Sequence, residues 1–121
     1  MINGLVINDQ KDEIYILKRA LSGVAKMDEA HNGMEGVAKL KENPDFIILD
    51  LHMPVLDGFA VLDSMTKEQK EKTLVMSCSD NGETMAKVMQ KGCVNFLDTG
   101  ASRNVIEHTL TKMGVLKKDG T

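Results

Sequence analysis

Five times along this chain a short apolar run is followed by a stretch whose apolar residues recur every three or four positions, and this alternation restricts the fold more than any other property. Leu5 to Asn8 leads to a helix predicted from about Asp12 to Ser22, with Ile14, Leu17 and Leu21 on one face. Ala25 to Ala30 leads to a helix from Met34 to Glu42, and Phe46 to Asp50 to one that begins near Gly58 with Phe59, Leu62 and Met65 inward. Thr73 to Cys78 precedes Asn81 to Lys91, with Met85, Val88 and Met89 inward; Val94 to Leu97 precedes Ser102 to about Met113, with Ile106, Leu110 and Met113 inward. Most of the nine methionines thus fall at inward helix positions, where flexible thioethers fill gaps.

Alternating β and α units with short connections predict a parallel sheet, right-handed crossovers and helices on both faces. The strands rank themselves by pattern. Leu5-Val6-Ile7, Phe46 to Leu49 and Leu74-Val75-Met76 are apolar on both faces, as central strands require, whereas Ala25 to Glu29 and Val94 to Asp98 alternate and belong at the edges. The order 2-1-3-4-5 satisfies this and sets the first and third strands side by side at the switch point, where α/β sheets bind ligands.

At 121 residues the chain has the size of one domain, taken as residues 1–116, with Lys117 to Thr121 as a polar tail or the start of a linker. A net charge of -3 argues against a nucleic-acid or anionic-membrane surface. Cys78 and Cys93 fall on different elements with no metal-ligand spacing, so neither a disulfide nor a zinc site is expected. With no signal-peptide pattern and no long apolar run, the expected location is the cytoplasm.

The third strand delivers Asp50 to its tip, and the turn Leu51-His52-Met53-Pro54-Val55-Leu56-Asp57-Gly58 follows at once. Neighbouring strands lie about 4.8 Å apart, so Asn8 and Asp9, just past the first strand, come beside Asp50. Two carboxylates in one cleft either raise a pKa or recruit a cation, and oxygen ligands with room for water suit Mg²⁺. Ser77, ending the fourth strand, and Thr99, following the fifth, bring hydroxyls to the far side.

The set Asn8-Asp9, Asp50 with Met53-Pro54 and Asp57-Gly58, Ser77, and Gly92 before Phe96 resembles the receiver domain of two-component response regulators over nearly the whole chain. The resemblance implies a flavodoxin-like fold and a regulatory rather than enzymatic role. Asp50 would accept a phosphoryl group from a histidine kinase or phosphotransfer protein, with Mg²⁺ on Asp9, Asp50 and the backbone carbonyl of His52, and Asn8 beside them. It also implies that Ser77 follows the phosphoryl oxygens, that Phe96 is the aromatic switch, and that the face 81–91, 96 and 102–113 meets an output protein or a second copy.

Two positions depart from the family pattern. Thr99-Gly100 stands where receivers carry a lysine followed by a proline, and Asn8 stands where an acid is usual. Losing one acid and one lysine leaves the resting charge of the pocket unchanged on this count, but a phosphoryl group adds about -1.5 to -2 with no lysine to meet it. A blunted response is expected, or a docking module that works without phosphorylation. A remote alternative is the Asp98-Thr99-Gly100 motif, similar to that of aspartic proteases, which requires an all-β fold. A Gly-rich nucleotide cradle is missing from the turn Asp9-Gln10-Lys11-Asp12.

Overall fold

A computed structural model describes residues 2–53, 55–77 and 82–116. Its strands are β1 (Ile2–Ile7), β2 (Ala25–Ala30), β3 (Phe46–Asp50), β4 (Thr73–Ser77) and β5 (Phe96–Asp98). The helices are α1 (Lys11–Ala20), α2 (Gly33–Leu40), α3 (Gly58–Asp63), α4 (Lys67–Glu71), α5 (Gly82–Gln90) and α6 (Arg103–Lys112). The sheet is entirely parallel in the order β2-β1-β3-β4-β5, the flavodoxin-like arrangement expected from the sequence. The edges are as predicted: β2 buries Ala25, Met27 and Ala30 and exposes Lys26 and Asp28, while β3 and β4 are buried almost throughout.

Because side chains alternate along a strand, each central strand feeds two cores. Leu5, Ile7, Ile47, Leu49 and Val75 pack on one face with Val61 and Leu62 of α3 and Val88 of α5. Val6, Phe46, Ile48, Leu74 and Met76 pack on the other, with Ile14 and Leu17 of α1 and Ile106 and Leu110 of α6. Asp50 continues the row Phe46-Ile48 and so rises on the α1/α6 side. Ser77 continues the row Thr73-Val75 and lies on the opposite side, with Phe96.

Three features differ from the sequence reading. The third crossover holds two helices: α3 ends at Asp63, Met65 is buried in the turn beyond it, and Thr66 opens α4 with a capping box closed by Gln69. Met85 and Met89 are 38% and 57% exposed, and Val88 is the buried residue of α5, because the three-residue β5 offers that helix a narrow surface to cover. Met34 is also exposed, so the methionines are not mainly inward helix residues; Met27 and Met76 are buried on strands instead. Val94 is 72% exposed and precedes β5, which begins at Phe96. Cys78, Asn81 and the tail 117–121 lie outside the described residues; Cys93 is buried as a free thiol.

Candidate functional site at the tips of the first and third strands

The loop leaving β1 is held by the Asn8 amide. Its backbone N–H donates to the Ala30 carbonyl at 3.0 Å, its Oδ1 accepts the Gln10 N–H at 2.8 Å, and its Nδ2 donates to Glu13 Oε2 at 3.3 Å. This Asx-type turn fixes the next residue, Asp9, whose buried Oδ1 has no hydrogen-bond partner among the described residues. An orphaned carboxylate oxygen is costly unless a cation or donor meets it.

Asp50 stands at the tip of β3 with its Oδ1 at 3.5 Å from the His52 N–H. Burial is the main cause that pushes its pKa up, to about 6; the Glu13 and Asp9 charges add to it, while the His52 N–H opposes it. The Asp9 charge thus reaches Asp50 from the neighbouring strand end. The turn beyond them is tight. Gly58 donates its N–H to the Leu51 carbonyl at 2.9 Å, and a Cβ there would sit 2.5 Å from the Asp50 carbonyl oxygen, so a larger residue would dislodge the loop. Asp57 caps α3 by accepting the Ala60 N–H at 3.0 Å. Val55, 75% exposed, takes φ 73°, a strained conformation for a β-branched residue.

Beneath Asp50, between α1 and α6, lies a cavity of about 50 Å³. Asn8, Glu13, Asp50 and Thr99 give it polar walls, Ile48 and Met76 an apolar floor, and among the described residues no lysine, arginine or histidine lines it. Thr99 also donates its N–H to the Ser77 carbonyl at 3.3 Å, linking the ends of β4 and β5. Ser77 is fully buried, and Phe96 is half-buried against the core cluster that contains Val75, Val88 and Cys93. The His52 side chain is exposed, leaving its backbone beside Asp50.

Glu13 is the acid missing from the sequence reading. It heads the row Glu13, Leu17, Leu21, spaced four residues apart, whose other members are buried, so an acid at the top of an apolar helix stripe was the available signal. It adds a third negative charge to a pocket read as holding two. Among the described residues, no group of three or more His, Cys, Asp or Glu side chains converges closely enough to hold a metal ion on its own. A cation here would therefore lean on backbone carbonyl and water oxygens as well, the coordination habit of Mg²⁺. The orphaned Asp9 oxygen fits such an ion.

The protease alternative fails on the fold: the sheet is parallel and layered with helices, and Asp98 spends its Oδ1 on the Gly100 N–H at 2.8 Å, in a turn. No helix among the described residues is long and apolar enough to cross a membrane.

Comparison with known proteins gives a consistent result. A family model described as the response regulator receiver domain matches residues 5–111. The two-component response regulator ARR2 of Arabidopsis thaliana is 29% identical over 116 residues, which cover 89% of this chain and 18% of that protein. A probable C4-dicarboxylate response regulator, DctR of Bacillus subtilis, is 35% identical over 79 residues, covering 64% of this chain and 35% of the relative. The chain thus spans about a third or less of the length of these curated relatives. Among solved structures, chemotaxis protein CheY4 of Vibrio cholerae superposes with a TM-score of 0.85 at 22% identity, covering 93% of this chain and 98% of that one. A chain of the CheX-CheY-BeF3-Mg complex from Borrelia burgdorferi gives the same TM-score and identity, with 93% and 89% coverage.

Proposed function

This chain belongs to the response regulator receiver family, and from that premise we propose that Asp50 is a phosphoryl acceptor whose modification is relayed through protein contacts. The observation that carries the reading is a half-buried Asp50 at a strand tip, within electrostatic reach of Asp9, whose buried Oδ1 has no partner among the described residues. An Asp50 carboxylate oxygen attacks the phosphorus of a phosphohistidine, the P–O bond forms as the P–N bond breaks, and the leaving imidazole takes a proton. With its pKa raised to about 6, Asp50 is still mostly carboxylate at neutral pH, and a bound cation would favour that reactive form further. Asp9, Asp50 and the His52 carbonyl would hold Mg²⁺, which supplies neutralisation of charge on the phosphoryl oxygens. Asn8, whose amide oxygen already takes the Gln10 N–H, orders the loop that carries Asp9.

Among the described residues that line the cavity, none supplies a cation to grip the modified group, since Thr99 occupies that side. This favours a weak coupling between modified Asp50 and the Ser77/Phe96 pair on the opposite face of the sheet. It is also the observation behind the second reading, a docking module indifferent to phosphorylation. The surface of α5, β5 and α6 is the proposed contact face for an output protein or a second copy; Met85, Met89, Val94 and Val105 leave apolar surface exposed along it.

Incubation with Mg²⁺ and a small phosphoryl donor such as acetyl phosphate, read by intact mass, separates the readings. Addition of one phosphoryl group to the wild type and none to Asp50→Asn supports the acceptor; no addition to either leaves docking alone.

A further inference from the structure

We propose that Glu13 is the positioning acid of this pocket: held on the Asn8 amide at the top of α1, it supplies the negative charge that the first strand lacks at Asn8, and so sets how tightly Asp9 and Asp50 hold a divalent cation. The inference rests on the receiver reading and assigns a role that the family pattern does not give to this helix position.

Two observations support it. Glu13 Oε2 lies 3.3 Å from Asn8 Nδ2, so the amide standing where an acid is usual points its donor at a carboxylate four residues past Asp9. Glu13 also lines the same small cavity as Asp50 and Thr99. An acid in the first turn of a helix also favours the helix dipole, but Asp12 can do that from solvent, where it is exposed. Dipole stabilisation does not call for a half-buried carboxylate turned toward the strand tips.

Charge and packing separate by substitution. Glu13→Gln keeps the shape and an oxygen for the Asn8 amide but removes the charge. Mg²⁺ titrated into the isotope-labelled domain, followed by the backbone amide shifts of Asp9, Asp50 and Thr99, gives the dissociation constant directly. E13Q is expected to weaken Mg²⁺ binding about five-fold, the effect of a unit charge a few ångströms away in a partly solvated site. Adding Asn8→Asp to E13Q restores the acid on the strand and is expected to return the affinity to within about two-fold of wild type. The helical circular dichroism signal and thermal midpoint establish that each variant is folded, and N8D alone, in which Glu13 is untouched, is expected to bind Mg²⁺ more tightly than wild type.

If E13Q binds as the wild type does while Asp9→Asn abolishes binding, the role assigned to Glu13 is overturned and the receiver reading stands. The same holds if N8D fails to restore E13Q. If the wild type itself shows no saturable shifts, the receiver chemistry fails, and the role of Glu13 with it.

Discussion

Asp50 is under tension between two demands: it is partly buried in the sheet crevice, and the proposed phosphoryl transfer needs it charged. Its folded pKa, raised to about 6, means that the folded chain binds this proton more tightly than the unfolded chain does. The stability contribution of Asp50 is therefore fully present below its unfolded pKa and is lost as pH rises through about 6. Asp50→Asn should accordingly stabilise the metal-free domain by about 2 kcal/mol at pH 7.5, after discounting for partial solvation, and by little near pH 4; urea unfolding at the two pH values measures it. A second local strain sits at Val55. Val55→Gly should raise stability by about 1 kcal/mol, since glycine adopts positive φ without steric cost, and a drop in the unfolding midpoint would contradict that account. The placement of Asp50, Asp9 and Asn8 at strand ends was legible because strand ends and their spacing are written locally. Glu13 was not, because its meaning depends on which end of the α1 stripe faces the crevice, and that is a property of packing.

The elements were legible in number and order but not in every face. A helix period assigns a stripe, yet the width of that stripe depends on how much sheet lies underneath. On α5 the three-residue β5 leaves room for Val88 and not for Met85 or Met89. Val88→Ala should therefore cost about 1 to 3 kcal/mol through the cavity it leaves, whereas Met89→Ser should change stability by less than about 0.5 kcal/mol; comparing the two by thermal unfolding checks the assignment. The helix α4 escaped the sequence reading because five residues carry no period. Its signal was the capping box Thr66 to Gln69, and Gln69 also donates to the Leu40 carbonyl at 3.0 Å, tying α4 to the end of α2. Ala in place of Thr66 should cost about 1 kcal/mol.

For the whole molecule, the alternation of side chains across one parallel sheet decides which groups meet. It brings Asp50, Asn8 and Thr99 together on the α1/α6 side, and it leaves Ser77 and Phe96 to the side of α3 and α5. The strand order followed from residue patterns because buried central strands and alternating edge strands differ in composition; the convergence of strand tips followed from the order. The family comparison agrees with that architecture along residues 5–111. The central claim is that the tips of β1 and β3 form an anionic notch that receives a cation and a phosphoryl group together. Beryllofluoride with Mg²⁺, a mimic of the phosphoryl group, tests it most directly by amide shifts. Saturable shifts are expected at Asp9, Asp50 and Thr99 in the wild type, with smaller ones reaching Phe96, and none in Asp50→Asn. An unchanged wild-type spectrum, or equal shifts in both proteins, would contradict it.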